Sequence, residues 1–197
     1  MKRFLSAVVT AAMIGTTTSA LADPPAADAP AAKPAAGAPV AKPAPAEELL
    51  AAAKLRATGE KKVIFVHFSA SWCGWCKRLD AYLERPEVRP VMAKYFVPVV
   101  LDVQERGEKK ALENAGGDAV AERVGGTGQG LPFLAMLDAQ GALIINSRPG
   151  GTAGNIGYPG SQAEVDWFVS MLRQAAPQMS AADLAVLEAP LRAAAKP

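Results

Sequence analysis

Residues 63–77 read Val63-Ile64-Phe65-Val66-His67-Phe68-Ser69-Ala70-Ser71-Trp72-Cys73-Gly74-Trp75-Cys76-Lys77. Apart from His67, positions 63–68 are β-branched or aromatic, the composition of a short buried strand. Positions 73–83 then read as a helix that ends before Pro86. A cysteine at the first turn of a helix lies against unsatisfied N–H groups and the positive end of the dipole. Both favour thiolate over thiol, so Cys73 is expected to titrate below the free value of ~8.5. Two intervening residues bring Cys76 round one helical turn, close enough to bridge. Cys73 is then the exposed nucleophile, and Cys76, one turn deeper, the thiol that resolves a mixed disulfide with a client.

Other uses of the pair have to be weighed. Covalent haem attachment needs His directly after the second Cys, and position 77 is Lys. Two thiolates with His67 offer ligands to a soft metal such as Cu(I). A stable structural disulfide is a further alternative, although four-residue bridges at a helix start are strained and exposed, which favours a labile bond. The expectation is redox use with no metal and no organic cofactor, the dithiol being the reagent. His67 has two readings as well: a buried base that deprotonates Cys76 during resolution, or a neutral core histidine satisfied by a backbone carbonyl.

Working outward, the chain has 197 residues, with 21 Lys+Arg, 19 Asp+Glu, two Cys and one His. That inventory lacks the four Cys/His ligands of a structural zinc site and allows one disulfide at most. Residues 1–22 have the layout of a cleavable export signal: Lys2 and Arg3, an apolar stretch at 4–15, then Ala20-Leu21-Ala22. The apolar stretch is well short of the ~20 residues of a membrane-spanning helix, so no stable membrane insertion is expected. Residues 23–46 hold eleven Ala and seven Pro and read as a disordered, semi-extended spacer. Removing the signal removes the net charge, and a balanced chain without a basic block argues against a nucleic-acid partner. The remaining 47–197 is the length of one ordinary domain.

Within it, 47–57 reads as a helix stopped at Gly59, 87–95 as a short helix and 96–103 as a strand. The polar stretch 105–128 carries helical pieces near 108–114 and 118–124. Strands at 133–137 and 142–147 flank the turn Asp138-Ala139-Gln140-Gly141. A Gly/Pro loop at 149–160 follows. Ser161 with Glu164, and Ser180 with Asp183, open two helices as capping boxes. Val165, Phe168, Val169 and Leu172 make a buried stripe on the first. Leu184, Leu187 and Leu191 do so on the second, which Pro190 should bend or shorten. This element order predicts an α/β fold with a mixed sheet and helices on both faces.

With its Trp72-Cys73-Gly74-Trp75-Cys76-Lys77 segment behind an apolar strand, and Leu131-Pro132 before a later one, the chain resembles the thioredoxin superfamily over roughly 47–175. The resemblance implies a thioredoxin fold, here with an extra C-terminal helix, and a cis Pro132 facing the cysteines. It implies that the backbone beside Pro132 pairs with an extended client segment, and that Trp72, Trp75 and Leu131 supply the surrounding apolar surface. This sequence departs from thioredoxin in several places. Gly74-Trp75 replaces Gly-Pro, Ser69 replaces an aromatic residue, and His67 stands at the position of a buried Asp. The strand at 96–103 lacks a Lys, and 105–128 is longer.

The expected function is a periplasmic thiol–disulfide oxidoreductase, leaning to reductase. Its partners would be exported protein thiols and disulfides or an upstream thiol electron donor. The alternative is a non-catalytic module that binds or assembles clients at Pro132, with the 149–160 loop and the last helix as its docking surface.

Overall fold

Alternate side chains of β1 (Val63–Ser69) enter two different cores, and the layers of the fold follow from that division. Val63 and Phe65 join Leu134 and Met136 on one side. Ile64, Val66 and Phe68 join Val99, Leu101, Phe133 and Ala135 on the other. A strand covered on both faces needs no polar alternation, which explains its unbroken apolar run. The computed structural model describes residues 42–150 and 154–196.

β1 runs parallel to β2 (Phe96–Asp102), pairing Val63 with Phe96 through to Ser69 with Asp102. It runs antiparallel to β3 (Phe133–Leu137), which pairs antiparallel with β4 (Leu143–Asn146). The order is β2-β1-β3-β4. Pro98, which has no N–H to donate, sits on the edge strand, where a ladder tolerates it. The hairpin between β3 and β4 uses the expected turn. Asp138 accepts the Gln140 and Ala142 N–H groups, and Gly141 takes the φ of 89° that closes it.

Helices α1 (Ala46–Glu60) and α4 (Gly117–Arg123) cover one face. Helices α2 (Gly74–Leu83), α3 (Val88–Tyr95), α5 (Gln162–Ala175) and α6 (Ala181–Ala194) cover the other. The mixed sheet with helices on both faces is the architecture the element order predicts.

Four local expectations change. Helix α1 runs through Gly59 and ends on Lys61, in the left-handed conformation at φ 53°. The buried stripe Ala46, Leu50, Ala53 and Ala57 holds the helix, outweighing the roughly 1 kcal/mol that glycine costs inside one. Helix α6 continues past Pro190 to Ala194 because Leu191, beyond the proline, is buried in the core. The piece near 108–114 is a 3-10 helix, Gly107–Leu112. The Ser161–Glu164 box is complete, whereas at Ser180 only half of one forms. Asp183 there turns to Lys94 Nζ (2.8 Å) and Tyr95 Oη (2.6 Å), and these bonds hold its carboxyl at about 2.

That turn ties α6 to α3, while the Tyr82 hydroxyl ties it to α2 by donating to the Leu187 carbonyl (2.7 Å). Helix α6 therefore packs its Leu184, Leu187 and Leu191 side into the main core. The export signal, and the spacer as far as residue 41, lie outside the described residues. At the spacer's end, Ala44 O accepts from Asn114, Ala46 N donates to Ala115 O, and Ala46 already opens α1. Among the described residues, no helix is long and apolar enough to cross a membrane.

Candidate dithiol active site

Cys73 is the N-cap of α2, placed there by the turn that leaves β1. Its backbone is extended, and its sulfur accepts the Cys76 N–H at 3.0 Å, as an N-cap oxygen would accept the N–H at N3. Cys73 and Cys76 form a disulfide with a Cα–Cα distance of 5.3 Å. The pair is less open than the sequence suggests. Cys73 retains 3% of its surface and Cys76 none, both packed with Ala70 and Leu131.

The turn is clamped from the far end of β2. Ser71 donates through N (2.5 Å) and Oγ (2.9 Å) to the two carboxylate oxygens of the buried Glu105. The Trp72 indole N–H donates to Gln104 O at 2.8 Å. Gln104 takes φ 56°, a left-handed conformation that costs a non-glycine residue roughly 1–2 kcal/mol. The conformation turns its carbonyl towards Trp72 and lets Glu105 reach Ser71. Arg106, the next residue, lies over the Trp72 ring at 4.3 Å.

The opposite wall comes from the loop before β3. The Leu131–Pro132 bond is cis, as the resemblance implies, and Pro132 is buried. Asn155 fixes this loop: its Nδ2 donates to Gly130 O (2.7 Å) and Pro132 O (2.8 Å), and its Oδ1 accepts from Ser147 Oγ and Gly157 N. Gly157, at φ 61°, lets the chain pass beside Pro132. Tyr158 then stacks on Trp75, ring centroids 6.0 Å apart. No hydrogen bond uses the N–H or C=O of Leu131 among the described residues.

The family model described as thioredoxin-like matches residues 46–139. This segment is a thioredoxin-like domain. No curated protein matches the chain. Among solved structures, the chain is similar to a disulphide isomerase from Xylella fastidiosa Temecula1, at 18% identity and TM-score 0.47, covering 80% of this chain and 99% of that one. It is similar to the DsbD C-terminal domain of Neisseria meningitidis in the oxidised form (21%, TM-score 0.42, 65% and 97%). A thioredoxin from Thermus thermophilus is a third (21%, TM-score 0.39, 66% and 83%).

Within this thioredoxin-like domain, the residues singled out in the sequence fall into two groups. Trp72 (41% exposed), Trp75 (55% exposed), Leu131, Pro132 and the two cysteines converge on one surface region. His67 lies on the β1 face covered by α2, at the floor of an open cavity of ≈ 550 Å³ beside edge strand β2. It is 1% exposed and neither ring nitrogen has a hydrogen-bond partner, so the expected backbone carbonyl is not there. Nδ1 comes within 3.4 Å of Asp80 Oδ1 without hydrogen-bond alignment.

Burial lowers the His67 pKa to about 4, leaving the ring neutral at neutral pH. Burial, then the Asp102 and Glu84 charges, raises that of Asp80. Among the described residues, no three His, Cys, Asp or Glu side chains form a cluster able to hold a metal ion. Sequence reasoning did not single out Glu105, Asn155 or Tyr158. Only the acid that follows a strand's end carried any signal. The glycines of the 149–160 loop gave no sign that it folds back onto Pro132.

A pH-dependent stability follows from His67. Unfolded, it takes up a proton below its ordinary 6.5, whereas folded it does so only near 4. The unfolded state therefore binds more protons in that window, and stability falls as the pH drops through it. Urea unfolding of wild type and His67→Phe at about pH 7.5 and pH 4.5 should show the wild type losing roughly 2–3 kcal/mol relative to the variant. Taking the difference cancels Asp80 and Asp102, whose raised values act with the opposite sign. A difference that does not change with pH would mean that the ring is not held neutral.

Proposed function

We propose that the chain is a periplasmic thiol–disulfide oxidoreductase acting on exported client proteins through Cys73 and Cys76, and that it runs as a reductase. The observation that carries this reading is the cysteine cap. Cys73 sulfur accepts a helix N–H at the positive end of α2, beside a Leu131 backbone that offers a donor and an acceptor. The layout of residues 1–22 supports export.

In the reducing direction the Cys73 thiolate attacks one sulfur of a client disulfide, whose S–S bond breaks to release a client thiolate. The mixed disulfide is then attacked at Cys73 Sγ by Cys76, which frees the second client thiolate and restores the Cys73–Cys76 bond. Two electrons pass to the client, and an upstream dithiol returns them. The client's extended backbone pairs with the N–H and C=O of Leu131 beside Pro132, against Trp72 and Trp75.

His67 takes the Cys76 proton in the second step. The ring is neutral and free to accept, it faces the side of α2 that carries Cys76 and Asp80, and Asp80 stands ready to pair with the imidazolium. Asp80, about half exposed, then passes the proton to water.

A Cys76→Ser variant should accumulate covalent client adducts through Cys73, seen on non-reducing gels and lost when Cys73 is also replaced. Recovery of the same clients with both cysteines replaced would make the chain a binding module instead. The direction is read by equilibrating residues 23–197 against thiol–disulfide buffers. A potential near ~−270 mV is expected, and one near ~−120 mV would make the protein an oxidant. For His67, the resolution of a preformed Cys73 mixed disulfide should slow by about 10²-fold near neutral pH in His67→Ala, with a changed pH profile. An unaltered profile removes the histidine from the mechanism.

A further inference from the structure

Two arginines stand beside the disulfide without a carboxylate partner. Arg56, Arg85, Arg89, Arg123 and Arg192 all pair with acids of the chain. Arg78 and Arg106 are exposed and make no ion pair or side-chain hydrogen bond among the described residues. They are not loose for that reason. Arg106 lies 4.3 Å from the Trp72 ring centroid, and Arg78 lies 5.6 Å and 5.3 Å from those of Trp75 and Tyr158.

Those rings are themselves fixed. Trp72 is tied to Gln104 O, and Trp75 is stacked on Tyr158 with only 18° between the ring planes. A guanidinium held against an aromatic ring, with no carboxylate or hydrogen-bond partner, has N–H groups left for the fork geometry that matches a carboxylate. Two of the nearby acids are engaged elsewhere: Glu105 holds Ser71, and Asp80 lies against His67.

From this we infer that the site selects polypeptide clients whose reactive cysteine is flanked by carboxylates, read by Arg78 beside Trp75 and Arg106 beside Trp72. The inference rests on the exchange reading and adds a client chemistry to it. The aromatic rings take the apolar part of the client near its sulfur. The two guanidiniums, one on each tryptophan of the Trp-Cys-Gly-Trp-Cys segment, take acidic side chains to either side. Lys77, also exposed and unpaired, adds to the same positive rim. The selection is a property of the site, since the whole chain carries a net charge of only +2.

The test uses the reduced protein and three peptides of one length. Each carries a single cysteine as a mixed disulfide with a chromophoric aryl thiol, flanked on both sides by Glu, by Gln or by Lys. Rates are divided by those of 2-mercaptoethanol with the same peptides, which removes the peptide's own effect on its disulfide. The order Glu, Gln, Lys is expected, with about three- to fivefold per arginine between Glu and Gln at low salt, shrinking as salt rises. Arg78→Gln and Arg106→Gln should each remove part of the Glu-to-Gln ratio, and the double variant should bring it close to one.

Equal normalised rates for the three peptides, or a preference that the double variant retains, would overturn the inference. Glutathione disulfide, which also carries carboxylates about its sulfur, is a separate arm. Arginine-dependent reaction with it, but no preference among the peptides, would overturn the polypeptide assignment in favour of that small molecule. Failure to react with any disulfide would sink the exchange reading itself and take this inference with it.

Discussion

The cap made by Cys73 on α2 is the interaction on which the site depends. A sulfur that accepts the Cys76 N–H must sit at the end of the strand and at the start of the helix at once, so β1, the turn and α2 are positioned by one contact. An N-cap is worth roughly 0.5–2 kcal/mol to a helix, a modest amount for a fold. Its chemical consequence is larger, because the group that caps the helix is also the one that ionises. A thiolate there gains from the same N–H donor and the same dipole that a capping oxygen uses. Breaking the disulfide leaves the cap in place with a charged acceptor, so the helix start favours the state that the proposed attack requires.

Holding that turn has a cost, which appears as local exceptions to ordinary packing. Glu105 buries a carboxylate to bind both donors of Ser71, and Gln104 sits in a left-handed conformation to face Trp72. His67 buries two nitrogens with no hydrogen bonds, a burden on the order of 1–3 kcal/mol for an unpaired buried polar group. All three residues belong to β1 or the segment leaving β2, the adjacent strands that carry the site. A core chosen for stability alone would place apolar residues where Glu105 and His67 are buried.

Much of this was legible in advance. The apolar run of β1, the Trp-Cys-Gly-Trp-Cys helix start and the Leu131-Pro132 dipeptide are local patterns whose meaning does not depend on distant residues. Helix periodicity likewise marked the buried stripes of α5 and α6. What could not be read was long-range pairing. Ser71 and Glu105 are 34 residues apart, and Asn155 reaches back to Gly130 and Pro132 from a loop with no periodicity. The same limit explains the misjudged helix ends. Gly59 and Pro190 carry strong local signals for stopping, and the burial of Ala57 and Leu191 against other elements overrides them.

The arginines at the rim follow from the same economy. An aromatic pair beside a reactive disulfide provides apolar area to any client, and so discriminates poorly. Setting a guanidinium on each tryptophan changes the kind of surface on offer. Charge attracts over a distance of about 8 Å at physiological salt, further than apolar contact does, so it acts on encounter as well as on fit. Because the arginines lie against rings fixed by Gln104 and Tyr158, less side-chain entropy remains to be lost when a carboxylate arrives. The loop at 154–160, which the sequence marked only as a Gly/Pro-rich candidate docking surface, thus contacts the site twice. Asn155 fixes the backbone on either side of Leu131, and Tyr158 packs against both Trp75 and Arg78.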